Sequence, residues 1–283
     1  MSQQAVDDLV KLLDLEPIEV NIFRGMSPDE DRQRIFGGQV AGQALVAAAR
    51  TVPDDRRVHS LHGYFLRAGD PRVPVLYEVD RLRDGGSFTT RRVNSIQHGK
   101  VIFTMSASFQ VPEDGLDHAF AMPDVPPPEE LPTMRERLAR AGVEVAPWMD
   151  RPRPIDIRHV DWADPDRTRQ LEPRQDVWMR ADGRLPDDPL IHTIVLTYAS
   201  DLTLLDTATL AHGGSWFELT VFMASLDHAM WFHRPFRADD WLLYHQDSPN
   251  ATGGRGLARG LVFTRDGTLV ATVMQEGLIR TAR

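Results

Sequence analysis

The sequence has 283 residues and contains no cysteine, which excludes several kinds of site. Without a thiol there can be no disulfide framework, no thiolate-bound zinc ion and no cysteine nucleophile. The sequence also lacks the run of about 18 apolar residues that a membrane-spanning helix requires. Its first twenty residues are acidic and amphipathic, unlike a secretory signal or a transit peptide, and its last three residues carry no peroxisomal signal. We therefore expect a cytoplasmic protein without a membrane span.

Positive charge is also scarce, since the formal net charge at pH 7 is -9. Binding of nucleic acid requires a basic face that neutralises phosphates, so we expect no nucleic-acid partner. Lys11 and Lys100 are the two lysines of the chain, and arginine supplies almost all of its positive charge. A ligand with phosphate groups would therefore be held mainly by arginine side chains.

The first half of the sequence shows one helical pattern followed by four strand-like patterns. A short leading helix and a candidate strand at residues 20–28 come first, and apolar residues then recur at helical spacing over residues 36–50. Four runs typical of strands follow, with turn residues between them. These runs cover residues 57–69, 73–85, 87–99 and 100–112.

The second half repeats this order of patterns after a proline-rich stretch. Proline removes a backbone donor and fixes φ, so we interpret residues 112–155 as a linker that contains one short helix at 133–142. We predict a strand at residues 189–200, a helix at residues 201–210 and four further strands. The further strands cover residues 218–234, 239–251, 253–267 and 268–280.

The repeated order indicates a duplicated unit in which a curved antiparallel sheet wraps around one helix. Two such units can pair edge to edge, which protects the edges of both sheets. The predicted fold class is therefore α+β with two tandem repeats. We predict a first unit at residues 1–111, the linker at 112–155 and a second unit at 156–283 that carries the catalytic residues.

The two halves can be aligned on each other with an offset of roughly 165–168 residues. At some aligned positions, the two side chains differ in chemical type. The second half carries a carboxylate, a hydroxyl and an amide where the first half has mostly apolar or small residues. This is the pattern expected of one active site per pair of units. The aligned pairs are Asp201 with Phe36, Ser225 with Ser60, and Gln275 with Ala107.

These three side chains are suited to the activation of water. An ionised aspartate accepts hydrogen bonds only, so Asp201 can orient or deprotonate a water molecule. Ser225 and Gln275 can each donate and accept, so they can satisfy the remaining hydrogen bonds of the same water. Such a water would hydrolyse a carbonyl compound without a covalent intermediate, and amide N–H groups at a helix N-terminus could stabilise the oxyanion.

Each of the three residues also has a structural interpretation. Asp201 stands at the head of an apolar, helix-like run and could cap that helix, although Ser200 could do so equally well. Ser225 on an apolar strand could be a buried hydroxyl with satisfied hydrogen bonds. Gln275 is harder to explain in this way, because a buried amide must find several partners.

Other patterns give weaker candidates. No G-x-S-x-G nucleophile motif occurs, and the spacing of His228 and His233 does not match a zinc-binding helix. His62 could line a cleft. Four arginines on matching strands of the two halves could hold phosphates or could be solvated, namely Arg91, Arg92, Arg255 and Arg259. Of all these, we select His62, Arg91 and Arg255 as candidate substrate-binding residues.

Several long segments, in their order along the chain, resemble the acyl-CoA thioesterase II (TesB-type) family. They are "IFGGQVAGQALVAAA", "HSLHGYFLRAGD", "DGGSFTTRRV", "YASDLTLL", "SLDHAMWFHRPFRADDWLLY" and "VMQEGLIR". The resemblance covers almost the whole chain and is weakest in the proline-rich linker. It implies a double hotdog fold, in which two curved sheets each wrap around a central helix.

The resemblance also implies a set of catalytic residues. In that family an Asp, a Thr or Ser, and a Gln position the hydrolytic water, and the matching residues here are Asp201, Ser225 and Gln275. The resemblance further implies an acyl-CoA substrate, no metal or redox cofactor, and a homo-oligomer formed through packing of hotdog sheets.

We therefore predict an acyl-CoA thioesterase that hydrolyses fatty acyl-CoA to a free fatty acid and CoA, with an acyl channel between the helices and the inner sheet.

Two alternatives remain. A hotdog enoyl-CoA hydratase or dehydratase would require an Asp–His pair along the helix region, whereas Asp201 is followed at that distance by Asp206. A non-catalytic acyl-CoA binding module would need none of the three polar residues.

Overall fold

The computed structural model describes residues 2–28, 33–140, 142, 152–160, 170–212 and 221–281. The first half of the chain forms two helices and six strands. They are α1 (Gln3–Leu13), β1 (Glu16–Glu19), β2 (Ile22–Gly25), α2 (Gly37–Ala49), β3 (Arg57–Phe65), β4 (Val75–Asp84), β5 (Phe88–Gln97) and β6 (Lys100–Gln110).

The rest of the chain adds two α-helices, two 3₁₀ helices and seven strands within the described ranges. They are a 3₁₀ helix (Pro128–Glu130), α3 (Met134–Arg140), β7 (Ile155–His159), β8 (Arg174–Ala181), α4 (Pro189–Ala199), a second 3₁₀ helix (Leu205–His212), β9 (Val221–Ser225), β10 (Asp227–Phe232), β11 (Leu242–Thr252), β12 (Arg255–Thr264) and β13 (Leu269–Thr281).

The strands of both halves form one continuous antiparallel sheet. Its order is β1-β2-β4-β5-β6-β3-β10-β13-β12-β11-β8-β7, and β9 pairs with β13 beside this path. The halves join where β3 pairs with β10, with His62 opposite Ala229. The predicted edge-to-edge pairing of two sheets is thus confirmed.

Two helices, α2 and α4, lie against the inner face of this sheet and against each other. Both consist largely of apolar and small residues, and α2 is buried at every position from Gly38 to Ala48. The backbones approach closely, because a Cβ atom added to Gly38 would lie 2.3 Å from the carbonyl oxygen of Tyr198. Only glycine fits at this contact between the two halves.

The predicted helix of the second half is wrong in position. Residues 189–199 form α4, not a strand, and residues 205–212 form a 3₁₀ helix. The run of residues in α4 is apolar throughout, so its periodicity does not separate a buried helix from a buried strand. The distinguishing signal is Asp188-Pro189, since Asp188 caps α4 by accepting a hydrogen bond from the N–H of Leu190 at 2.9 Å.

This correction changes the internal alignment near the helices. Phe36 precedes α2 just as Asp188 precedes α4, so the predicted pairing of Asp201 with Phe36 is wrong. Three strands, β1, β7 and β8, were also not predicted. The short helix predicted at 133–142 is confirmed as α3.

The proline-rich segment crosses the outer face of the second half of the sheet. The indole N–H of Trp178 donates to the carbonyl oxygen of Pro126 at 2.9 Å. Leu131 joins an apolar cluster on this face together with Trp178, Trp241, Leu243, Phe263 and Leu269. The division into units at 1–111 and 156–283 stays a prediction, although β6 ends at residue 110 and β7 begins at residue 155.

Candidate active site

A break between β9 and β10 places Ser225 at the end of a strand. Ser225 lies opposite Gly277 of β13, and the next residue, Leu226, belongs to neither strand. In the break, the carboxylate of Asp227 accepts a hydrogen bond from the N–H of Glu276 at 2.7 Å. Such irregularities in a sheet redirect the neighbouring side chains.

Gln275 lies on the inner face of β13, in phase with the buried residues Ala271 and Val273. Its side chain is fully buried. Its amide Nε2 donates to Asp201 Oδ1 at 2.6 Å and to Ser225 Oγ at 2.8 Å. One amide group therefore joins a carboxylate and a hydroxyl that are 24 positions apart in the sequence.

Asp201 lies two residues beyond the end of α4, at Ala199, and reaches the N-terminus of α2. Its Oδ2 accepts a hydrogen bond from the backbone N–H of Gly38 at 2.8 Å. The residue before α2, Phe36, provides no side-chain cap. Asp201 therefore caps the helix of the other half of the molecule, and the interpretation that it caps its own helix is wrong.

The start of α2 leaves room for this carboxylate. A Cβ atom added to Gly37 would lie 2.7 Å from Asp201 Oδ2, closer than such atoms approach. The Gly37-Gly38 pair thus allows both the contact between the helices and the contact with the carboxylate. Sequence analysis did not select these two glycines, although their position at the start of the helical pattern was visible.

Burial dominates the electrostatics of Asp201. Loss of hydration raises the pKa of Asp201 to about 6, against the lowering effect of hydrogen bonds from Gln275, Gly38 and Ser225. Asp201 as a whole residue keeps some accessible surface, whereas both of its carboxylate oxygens accept hydrogen bonds inside the protein. At neutral pH the group is mostly ionised, yet it is a stronger base than an ordinary aspartate.

The orientation of the Gln275 amide follows from the same contacts. A carboxylate only accepts hydrogen bonds, so Nε2 of Gln275 must face Asp201 and Oε1 must point elsewhere. Within the described residues, this buried Oε1 has no hydrogen-bond partner.

Comparison with known proteins identifies the family. The sequence profile of acyl-CoA thioesterases matches residues 159–278, and that of the acyl-CoA thioesterase N-terminal domain matches residues 27–110. Human acyl-coenzyme A thioesterase 8 is 45% identical over 284 residues, which cover 95% of this chain and 88% of that protein. The chain belongs to the acyl-CoA thioesterase family.

Solved structures agree with this assignment. An acyl-CoA thioesterase II, TesB2, from Mycobacterium marinum is 49% identical, with a TM-score of 0.80, over 97% of this chain and 98% of that chain. A protein of unknown function with a hotdog fold from Alicyclobacillus acidocaldarius has a TM-score of 0.76 at 23% identity, over 98% and 99% of the two chains. The predicted family, the double hotdog fold and the enzyme class, a thioester hydrolase, are thus confirmed.

One predicted substrate-binding residue of this thioesterase has a different role. The Arg91 side chain is buried, and its guanidinium donates to Thr51 Oγ1 and the carbonyl oxygen of Thr51, both at 2.8 Å, and to Asp84 Oδ1 at 2.6 Å. Further bonds run to the carbonyl oxygens of Arg83 and Thr90. Arg91 is therefore neither solvated nor available to a substrate, and its predicted contact with substrate is wrong.

The other two candidates lie on the outer face of the sheet, opposite to Gln275. His62 is exposed, with its ring 5.0 Å from that of Trp231, and Arg255 donates to Glu276 Oε1 at 2.9 Å. A role for His62 and Arg255 in substrate binding stays a prediction. The remaining two arginines are half-exposed and form ion pairs, Arg92 with Asp80 and Arg259 with Asp247.

No group of three or more histidine, aspartate or glutamate side chains is arranged to hold a metal ion in the described part of the chain. No described helix is long and apolar enough to cross a membrane.

Proposed function

We propose that this thioesterase hydrolyses fatty acyl-CoA with a water molecule that Asp201 activates and that Gln275 and Ser225 hold in place. The proposal rests mainly on one observation: the Gln275 amide donates a hydrogen bond to Asp201 Oδ1 at 2.6 Å and another to Ser225 Oγ at 2.8 Å. The pKa of Asp201 of about 6 gives this carboxylate the basicity that a general base needs near neutral pH.

In the proposed reaction, Asp201 takes a proton from the water as its oxygen attacks the thioester carbonyl carbon. The developing oxyanion lies near the N-terminus of α2, where the helix dipole stabilises negative charge. The tetrahedral intermediate then collapses, the carbon–sulfur bond breaks, and Asp201 returns the proton to the CoA sulfur. Acyl-CoA and water thus yield a carboxylic acid and free CoA without a covalent enzyme intermediate.

Ser225 and Gln275 have complementary roles in this proposal. Both donate hydrogen bonds that favour the ionised form of Asp201 and limit the rise of its pKa. Gln275 Oε1 is the acceptor for the second hydrogen of the water. The apolar surfaces of α2, α4 and the inner sheet are the proposed site of the acyl chain.

The test is release of free thiol from acyl-CoAs of several chain lengths by wild-type enzyme and by Asp201→Asn. Asparagine keeps the shape of the side chain and caps helices well, but it loses the charge and one of the two oxygens that accept from Gln275 and from the Gly38 N–H. We expect a loss of at least about 100-fold in kcat, the scale of general-base catalysis. The matched control is Asp188→Asn, which changes the cap of α4 instead.

Equal thiol release by wild type and Asp201→Asn would contradict the assignment of the base. Addition of water to an enoyl-CoA without thiol release would favour the hydratase alternative. The cytoplasmic location and the homo-oligomer stay predictions, and light scattering on the purified enzyme measures the oligomeric state directly.

A further inference from the structure

A second polar cluster lies directly behind Asp201 and is centred on Ser200. Ser200 ends α4 and is fully buried. Its Oγ is 2.8 Å from His228 Nε2 and 3.0 Å from the carbonyl oxygen of Thr197. Its own carbonyl oxygen accepts a hydrogen bond from the hydroxyl of Tyr244 at 3.2 Å. The residue next to the carboxylate is thus fixed by its side chain and by its backbone.

His228 connects this cluster with the other side of the site. It lies on the inner face of β10 and is 1% exposed. The pairing of β10 with β13 begins with Ala229 opposite Met274, so His228 and Gln275 are the next residues of the two strands beyond that pair. The hydrogen-bond contact of His228 with Ser200 joins β10 to the chain segment that carries Asp201.

The protonation of this cluster follows from its partners. Burial lowers the pKa of His228 to about 4, so the ring is neutral at physiological pH. The Thr197 carbonyl can only accept, and with the hydroxyl hydrogen of Ser200 on it, His228 donates from Nε2 to Ser200 Oγ. The other tautomer of His228 reverses the direction of this hydrogen bond. His228 Nδ1 is buried and has no partner among the described residues.

A polar cluster of this kind is costly within an apolar core, and apolar residues of similar volume would fill the same space without that cost. In the first half, the residue that ends α2 is Arg50, which is exposed and binds the backbone carbonyl of Leu15. One residue further on, the first half buries a different polar pair, Thr51 with Arg91, so the Ser200–His228 pair belongs to the half that carries Asp201.

We propose that Ser200 and His228 are positioning residues of this thioesterase, which hold the end of α4 so that the Asp201 carboxylate stays between the Gln275 amide and the Gly38 N–H. This inference rests on the proposed role of Asp201. Neither residue touches the reacting atoms; the hydrogen bond between them sets the direction of the base.

The test compares Ser200→Ala, His228→Leu and His228→Gln by kcat, KM and the pH profile of thiol release. We expect Ser200→Ala and His228→Leu to lower kcat about 10-fold with KM within about twofold, because a small misplacement of a catalytic group is costly in rate. A displaced Asp201 also loses hydrogen bonds that favour its ionised form, so the acid limb of the profile moves to higher pH. Glutamine carries an N–H that can reach Ser200, so His228→Gln recovers most of kcat.

Two control variants separate positioning from general stability. Ser95→Ala removes another fully buried serine hydroxyl, on β5 of the first half. His192→Leu removes a buried histidine near the start of α4, whose Nδ1 accepts from the N–H of Ala238 at 3.0 Å. Both variants are expected to lower the melting temperature at most and to keep kcat and the pH profile. Loss of stability with unchanged kcat and pH profile in Ser200→Ala and His228→Leu would overturn the inference.

A double-mutant cycle distinguishes this inference from the function on which it rests. Added to Asp201→Asn, the Ser200→Ala change is expected to cause no further loss of the residual thiol release, because the group that it positions is already gone. A further loss as large as in the wild-type background would overturn the positioning role and leave the role of Asp201 intact. Full activity of Asp201→Asn alone would overturn the proposed base and the positioning inference together.

Discussion

The two halves of the molecule use the same structural position for different purposes. The residue two positions beyond the central helix is Asp201 in the second half and Thr51 in the first. Asp201 bonds to Gln275 on β13, whereas Thr51 bonds to Arg91 on β5. In the second half, the polar residue Gln275 is on β13 and lies opposite Ala258 of β12. In the first half, the polar residue Arg91 is on β5 and lies opposite Ala107 of β6. The polar side chain and the alanine have thus changed strands between the two halves.

This comparison explains why the molecule has one candidate active site and not two. In the first half, the buried Arg91 guanidinium donates to Thr51 and to other protein oxygens, so this side chain has no N–H group left for a substrate. In the second half, the shorter side chain of Gln275 bonds to Asp201. The pKa of Asp201 is raised, and the residue is only partly buried. The same arrangement of helix and strands thus holds a structural arginine, Arg91, in one half and the candidate base, Asp201, in the other.

The starts of the two helices differ in a related way. The start of α4 is capped by the residue directly before it, Asp188, and Pro189 is its first residue. The start of α2 has Phe36 and two glycines, and it receives its cap from Asp201 of the other half. Neither half therefore contains the complete site, since the carboxylate of one lies on the helix of the other.

Removal of the Arg91 guanidinium, with its hydrogen bonds, should have the largest effect on stability. We expect Arg91→Met to lower the free energy of unfolding by about 3 kcal/mol or more, because several buried carbonyl and hydroxyl oxygens lose their donor. Chemical denaturation measures this loss, and kcat measured below the transition should be unchanged. The neighbouring Arg92→Met is the control and should cost under about 1 kcal/mol, since that arginine is half-exposed. A stable Arg91→Met with a raised KM would restore Arg91 as a substrate contact.

Crowding the start of α2 should have the next largest effect. We expect Gly37→Ala to lower kcat about 100-fold, because the new Cβ displaces the Asp201 carboxylate and a shift of about 1 Å can cost that much. The control is Gly86→Ala, where an added Cβ meets nothing within 4 Å. Wild-type kcat in a folded Gly37→Ala enzyme would show that the position of Asp201 over α2 is irrelevant to the reaction.

Removal of the local cap should have the smallest effect. Asp188→Ala is expected to lower the free energy of unfolding by about 1 kcal/mol, the usual value of an N-cap, and to leave kcat within about twofold. Thermal unfolding and thiol release on the same preparation measure both quantities. A large loss of kcat would mean that the starts of α2 and α4 are not functionally distinct.

The sequence predicted the first half well because its strands alternate between buried and exposed residues. In β4, for example, Val75, Tyr77 and Val79 are buried and the residues between them are exposed. The helix α4 has no such contrast, because apolar residues fill nearly all of it, and its start signal at Asp188 was overlooked. One shifted helix then misaligned Asp201 with Phe36.

The three site residues were selected by comparing the two halves, in part through a wrong alignment, and by the resemblance to a family, but their mutual contacts could not be predicted from spacing. Gln275 and Asp201 are 74 positions apart, and the Gly38 N–H is 163 positions from Asp201. Such contacts depend on the close approach of α2 to α4 and on the break before β10. The burial of Arg91 was likewise hidden, since a strand arginine resembles its solvated neighbour Arg92 in sequence.

The central claim is that Asp201 works as a base whose pKa is raised by burial, and the pH profile of kcat/KM tests it most directly, because kcat/KM reports the pKa values of the free enzyme. A base must be ionised, so below its pKa the active fraction falls tenfold for each pH unit. The account predicts an acid limb near pH 6 for the wild-type enzyme and no such limb in the residual activity of Asp201→Asn. A wild-type profile that stays flat to about pH 4, the range of an ordinary aspartate, or an unchanged limb in Asp201→Asn, would contradict it.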